Sequence, residues 1–352
     1  MSQLKVNTIR HTGASSDAVT LASDGSCTVK ATNNLWNRNV LINSNFSVNQ
    51  RGSFTANQGE YTLDRWYHNP SGGTSTITQE TQTVGSEIES QDKYLKQSVS
   101  TGNNYCCIRY RHEDVKTITP GTWTLSFWAK GTTPPGGLQV WGQQDFGSGG
   151  SADVDIAQQT ATALTGSWVR QSINITIPSL SGKTIGAGSF LQFGIGQGTD
   201  TGTGAWELNI ANVQFEKGSQ MTDYEPPRSY GAELARCQRY YYHHVKGDEG
   251  SNGTQACITD NGTMYNATLV FLSIPLPVTM RATPSLVDTN SSNHFIVYAN
   301  ANNSNTSTFG IDGVTTNKVL VINGTTGSLT SGAAALVRTN NADAFIAANA
   351  EL

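Results

Sequence analysis

Apolar and polar positions alternate through much of this chain. The clearest stretch is Thr122-Trp123-Thr124-Leu125-Ser126-Phe127-Trp128-Ala129-Lys130. Side chains alternate across a strand, so Trp123, Leu125, Phe127 and Ala129 should share one face, and Thr124, Ser126, Trp128 and Lys130 the other. The same period predicts strands over 40–48, 94–99, 105–110, 123–130, 138–143, 168–177, 190–195 and 206–215. Between them lie turn-forming runs such as Thr132-Thr133-Pro134-Pro135-Gly136-Gly137 and Gly147-Ser148-Gly149-Gly150. Many antiparallel strands at this spacing predict a two-sheet jelly roll over 36–226 rather than a small closed barrel. Past residue 244, strands are expected at 255–258, 263–272, 295–299, 318–322 and 334–339.

Two segments depart from this pattern. Tyr230-Gly231-Ala232-Glu233-Leu234-Ala235-Arg236-Cys237-Gln238-Arg239-Tyr240 is rich in helix formers and places Leu234, Cys237 and Gln238 on one side, so a short helix is expected within 227–244. At the other end, residues 4–10, 17–21 and 27–31 alternate, and Ser23-Asp24-Gly25-Ser26 carries a hairpin signal. A segment of that size buries too little surface to fold alone. Residues 1–35 are therefore expected to form an attachment hairpin that folds against a symmetry mate or docking partner through Leu4, Val6, Ile9, Val19 and Leu21. The expected fold class is all-β: attachment hairpin 1–35, central jelly-roll β-sandwich 36–226, helical linker 227–244 and a C-terminal β-sandwich-like domain 245–352.

Composition narrows the function classes. Charged residues make up 14% of the chain and net charge is −4, against about 25% charged in ordinary domains. Seven Trp, twelve Tyr and eleven Phe separate it from disordered chains. No strongly basic stretch is present, so no nucleic-acid partner is expected. No apolar run reaches the ~18 residues of a spanning helix, and no membrane insertion is expected. The N-terminus lacks an apolar leader core, which points to synthesis in a reducing cytosol. The five Cys are odd in number and form no CxxC, so all five are expected to be packing residues, with no disulfide framework, metal or other cofactor.

All seven Trp lie between Trp36 and Trp206. Sugars offer apolar C–H faces that stack on aromatic rings, and hydroxyls that pair with planar amides and carboxylates. Trp66 with Tyr67, and Trp141 with Gln143 and Asp145, combine these groups and are the candidate carbohydrate-binding residues. Core filling is the competing role for any Trp, and the expected one for Trp123, Phe127 and Trp168. Tyr240-Tyr241-Tyr242-His243-His244 reads as a strand with packed rings, because neighbouring side chains diverge and the two His cannot easily share one ion. Glycoside cleavage needs two carboxylates about 5–10 Å apart. Asp64, Glu113, Asp114, Glu207 and Glu216 are scattered, and no GxSxG, HExxH or P-loop occurs. No enzymatic activity is expected.

The chain resembles fibre and appendage proteins of tailed bacteriophages, particularly short-tailed marine ones. The residues that carry the resemblance run from end to end. They are Leu4-Lys5-Val6-Asn7-Thr8-Ile9-Arg10, Asn37-Arg38-Asn39-Val40-Leu41-Ile42-Asn43, Gln50-Arg51-Gly52, Leu63-Asp64-Arg65-Trp66, and Ala211-Asn212-Val213-Gln214-Phe215-Glu216. They continue with Glu233-Leu234-Ala235-Arg236-Cys237-Gln238-Arg239-Tyr240-Tyr241-Tyr242, Met280-Arg281-Ala282-Thr283-Pro284 and Ala350-Glu351-Leu352. The resemblance implies a homotrimer in the virion that docks on phage tail or other virion proteins by its N-terminus and meets a host surface glycan or receptor. The alternatives are a purely architectural connector or decoration, and a polysaccharide-cleaving fibre. The central domain is also similar to jelly-roll carbohydrate-binding modules. There acidic residues can hold calcium at positions matching Phe46-Ser47 and Ala211-Asn212-Val213; Ser47, Ala211 and Asn212 lack the anionic oxygens calcium prefers.

Overall fold

The computed structural model describes residues 6–10, 12–13, 17–21, 27–29, 37–52, 54–56, 59–71, 75–83, 88, 92–100, 105–198, 202–227, 229–247, 255–289, 293–306, 309–316 and 319–352. Three short strands come first: β1 (Thr8–Ile9), β2 (Val19–Leu21) and β3 (Cys27–Val29). They pair antiparallel as Thr8 with Thr20 and Val19 with Val29. Val6, Ile9 and Leu21 are exposed and Val19 is half-buried, so this sheet presents apolar side chains outward. Leu4 and the Asp24-Gly25 turn lie outside the described residues.

Twelve strands follow: β4 (Phe54–Ala56), β5 (Glu60–Tyr61), β6 (Trp66–Pro70), β7 (Ser75–Thr81), β8 (Lys93–Val99), β9 (Cys106–Glu113), β10 (Gly121–Thr132), β11 (Gln139–Asp145), β12 (Val154–Thr160), β13 (Val169–Ile177), β14 (Phe190–Gln197) and β15 (Trp206–Lys217). They form two six-stranded sheets, in the orders β13-β10-β15-β8-β7-β4 and β12-β11-β14-β9-β6-β5. One apolar cluster fills the space between them, with Trp66, Tyr110, Trp123, Phe127, Phe193 and Phe215 among its largest members. Trp123, Leu125, Phe127 and Ala129 all face this core, as their alternation predicts.

The second β unit begins at helix α1 (Tyr230–Gln238), whose Ser229 N-cap hydroxyl accepts from Ala232 N. Then come β16 (Tyr241–Lys246), β17 (Cys257–Met264), β18 (Leu269–Pro275), β19 (Ser285–Asp288), β20 (Phe295–Ala299), β21 (Asn302–Thr306), β22 (Phe309–Val314), β23 (Val319–Thr325), β24 (Ala334–Thr339) and β25 (Phe345–Asn349). A three-stranded sheet, β16-β25-β19, packs with a seven-stranded one, β21-β20-β24-β17-β18-β23-β22, around a separate core that includes Val270, Phe295, Val337 and Ile346.

Four expectations are corrected. Residues 40–48 form no strand: Asn43 and Phe46 take positive φ of 54° and 57°. The buried Asn43 side chain accepts from Val48 N and donates to Val48 O and Asp64 O, closing the chain into a loop. Residues 263–272 are two strands, because Asn266 Oδ1 accepts from the backbone N of Thr268 and Leu269 and turns the chain between β17 and β18. In α1 the buried positions are Glu233 and Cys237, one helical turn apart; Glu233 reaches Asn43 N and pairs with Arg236 at 3.0 Å. Cys106, Cys107 and Cys237 are buried, but Cys257 is exposed.

The motifs scattered along the sequence meet where the two β units join. Glu351 pairs with Arg65 and, at 3.3 Å, with Arg51; Arg51 also lies 3.5 Å from Asp64. The Arg65 guanidinium stacks 3.5 Å from the centre of the Tyr240 ring, and Arg51 stacks 3.5 Å from that of Tyr241. Arg281 donates to Ala350 O and Glu351 O. On the first sandwich's opening segment, Glu225 accepts from the backbone N of Asn37, Arg38 and Asn39.

Candidate functional site: an aromatic and amide-lined sheet face

In the sheet β12-β11-β14-β9-β6-β5, one face meets the core and the other faces away from it. Val140, Phe193 and Ile108 point inward. By alternation, Trp141, Gln143, Asp145, Gln192, Arg109 and Tyr67 point outward. Register assembles this outer face. Trp141 pairs with Gly194 and Gln143 with Gln192; Gln143 also pairs with Asp155, Gly194 with Arg109, and Arg109 with Tyr67.

A chain of polar contacts crosses four strands here. Gln143 Nε2 donates to Asp155 Oδ1 at 3.1 Å, and Gln192 Nε2 to Gln143 Oε1 at 2.8 Å. Arg109 donates to Gln192 Oε1 at 3.4 Å and, from its other terminal nitrogen, to the Tyr105 hydroxyl. Beside this chain lies the half-buried Trp141 ring, 5.5 Å from the Tyr105 ring and tilted 55° to it. A Cβ on Gly194 would come within 2.9 Å of the indole carbons, so the absent side chain is what lets the indole settle onto the sheet. Burial, and then the neighbouring Cys107 thiol, push the Tyr105 phenol above its usual pKa and keep it protonated. The face therefore offers an aromatic surface flanked by fixed amide, carboxylate and guanidinium groups. Such a surface can take one face of a sugar ring and pair with its hydroxyls.

The candidate residues separate. Trp141 and Gln143 lie together on this face. Asp145 shares it, but its carboxylate accepts from Gly147 N at 2.8 Å and braces the turn after β11. Tyr67 is half-buried further along, under Arg111 at 4.5 Å and edge-on to Tyr61. Trp66 is a correction: it is fully buried, with its indole N–H donating to Asn43 O at 3.0 Å and its ring packed against Phe46 and Tyr110. It fills the core and cannot stack on a ligand. Tyr105, Arg109, Asp155 and Gln192 were not among the candidates. Arg109 and Gln192 carry a faint local signal, each a polar residue between apolar neighbours in a strand, but only register brings them to Trp141.

The acidic residues weighed for catalysis have structural partners. Asp64 accepts from Gln50 N at 2.7 Å, and Glu113 from the Tyr240 hydroxyl at 2.7 Å. Asp114 caps a 3₁₀ turn, Glu207 pairs with Lys96 at 2.9 Å, and Glu216 accepts from Thr222 N and Oγ1. His243 lies within hydrogen-bond distance of Gln50 O and Val245 O, and His244 of Ile258 O and the Tyr242 hydroxyl. Near Ser47, Gln79 Nε2 donates to Phe46 O at 2.6 Å and Ser47 O at 3.2 Å. Ser47, Ala211 and Asn212 supply no anionic oxygen, so these residues do not fit calcium. Among the described residues no group of three or more His, Cys, Asp or Glu could hold a metal.

No family profile matches the chain, and no curated protein does. Among solved structures it is similar to the enzymatically active domain of tailspike protein 4 of bacteriophage CBA120, at 11% identity and a TM-score of 0.30 over 51% of this chain and 21% of that one. It is also similar to a family 30 carbohydrate-binding module, at 13% identity and a TM-score of 0.32 over 56% of this chain and 97% of the module. A third is the C-terminal family 22 carbohydrate-binding module of Clostridium thermocellum Xyn10B, at 15% identity and a TM-score of 0.29 over 47% and 98%. The chain thus spans about a fifth of the tailspike domain's length.

Proposed function

We propose that this chain is a fibre or appendage subunit of a tailed phage particle, and that it binds host surface glycan reversibly through the outer face of β11, β14 and β9. The observation that carries the binding reading is the row Asp155–Gln143–Gln192–Arg109–Tyr105 running beside Trp141. It is prearranged, so little side-chain entropy is lost when a sugar docks. Single sites of this kind are weak, and several copies on one particle supply avidity. The virion role rests on the sequence resemblance and on the β1–β3 sheet, whose outward Val6, Ile9 and Leu21 suit a homotrimer seam or a docking surface on the particle.

The test incubates purified protein with host cells and with extracted surface polysaccharide, following retention and chain length together. Retention without shortening is expected, and Trp141→Ala should reduce it while the protein stays folded by circular dichroism. Shortening of the polysaccharide would bring forward the cleaving-fibre alternative, and no retention at all would leave an architectural connector. Light scattering should give three times 37.7 kDa; a monomer at micromolar concentration would remove the trimer from the proposal.

A further inference from the structure

A cleft of about 860 Å³ lies at the junction of the two β units. Its size falls within the range of small-molecule sites. One wall is the β5–β6 edge of the first sandwich, with Glu60, Tyr61 and Tyr67; the other is the β16–β25 sheet, with Tyr241 and Phe345, and the turn before β25, with Asp343. Its charged and titratable groups differ in how far they are already engaged. Arg51 is neutralised by Asp64 and Glu351 and stacked on Tyr241, and both nitrogens of His243 lie against backbone carbonyls. The Glu60 and Asp343 carboxylates, by contrast, take part in no hydrogen bond or ion pair among the described residues. Aromatic rings on both walls and two uncommitted acceptors on opposite walls suit a ligand with apolar faces and many hydroxyl donors. Lys246 also lines the cleft but is already engaged in an interaction of its own, so an anionic ligand would still meet like charge from both carboxylates.

We infer that this junction cleft is a second saccharide site, for an uncharged oligosaccharide held between the two β units. The site rests on the glycan-binding reading but shares none of Trp141, Gln143, Gln192 or Arg109 with the sheet face. Ring faces stack on Tyr61, Tyr67 and Phe345, and the hydroxyls donate to Glu60 and Asp343. Because the ligand touches both units, its binding also opposes their separation, a property the sheet face lacks.

The experiment is calorimetric titration of the full chain with a neutral tetrasaccharide pool released from host surface polysaccharide. A galacturonic acid tetramer is the anionic comparator. Two sites per chain are expected for the wild type and one for Trp141→Ala. In that background, adding Glu60→Gln and Asp343→Asn should weaken the remaining site at least tenfold, with the circular dichroism spectrum unchanged. A single wild-type site that Trp141→Ala abolishes would overturn the cleft and leave the sheet face standing. One site lost to Glu60→Gln/Asp343→Asn and untouched by Trp141→Ala would sink the sheet-face reading and leave the cleft. Tighter binding of the anionic tetramer at the Trp141-independent site would overturn the assignment to an uncharged ligand, and no binding of either probe would overturn both sites.

Discussion

Replacing Glu351 by Gln removes one charge from a buried set of four and leaves shape almost unchanged. Arg51 and Arg65 contribute two positive charges, Asp64 and Glu351 two negative ones; their side chains are 7%, 1%, 1% and 3% exposed. Burial alone would lower the Arg65 pKa. The Glu351 carboxylate, followed by Tyr110, outweighs that and holds the guanidinium above its usual value. Without Glu351 the set carries an uncompensated positive charge among side chains that are almost fully buried. A unit pair 4 Å apart contributes about 4 kcal/mol at an effective dielectric of about 20, and breaking a buried pair by removing one partner typically costs about 3–5 kcal/mol. Glu351→Gln should therefore lose about 3–5 kcal/mol in urea denaturation of the full chain. The first sandwich and the second β unit should also begin to unfold at separate midpoints, because Glu351 spans them. A loss below about 1 kcal/mol, the level of exposed pairs, with a single transition retained, would refute the reasoning that these motifs act as one buried clamp.

Three further outcomes follow from the same structure. Trp66→Ala should cost about 3–5 kcal/mol by the large-to-small rule for core aromatics, read as a fall in melting temperature; an unchanged melt would place Trp66 outside the core. Gly194→Ala should displace the Trp141 indole and weaken glycan retention more than it lowers stability, and retention at the wild-type level would show that the indole need not lie on the sheet. Burial lowers the pKa of His68 to about 4, and burial followed by the nearby Arg65 charge does the same for His112. The unfolded chain, with His near 6.5, then binds more protons than the native one between about pH 4 and 6.5. Stability should be full above pH 6.5, fall as the pH drops toward 4 and level off below it, as linkage requires; His68→Asn should reduce that slope in urea midpoints, and an identical slope would contradict the assignment.

Strand existence was legible in the sequence wherever one face is apolar and the other polar. Strands at 295–299 and 334–339 match β20 and β24, and the alternation at 122–130 identifies both β10 and the side of it that enters the core. The period of two is a local property, set by backbone geometry and written in consecutive residues. Residues 40–48 begin with the apolar run Val40-Leu41-Ile42 and end in the alternating Phe46-Ser47-Val48, yet Asn43 turns them into a loop through contacts with Val48 and Asp64. Trp66 and Trp141 look alike in sequence, since each is followed by a mixture of aromatic and polar residues that marks no apolar side. Only sheet pairing decides that Trp66 faces Phe46 and Tyr110 in the core while Trp141 faces outward over Gly194. Likewise nothing local joins Gln143 to Gln192, or Arg65 to Glu351, 286 residues away. Those partners are chosen by strand register and by the docking of one β unit on the other. Both depend on interactions between distant residues, which no stretch of neighbouring residues encodes by itself.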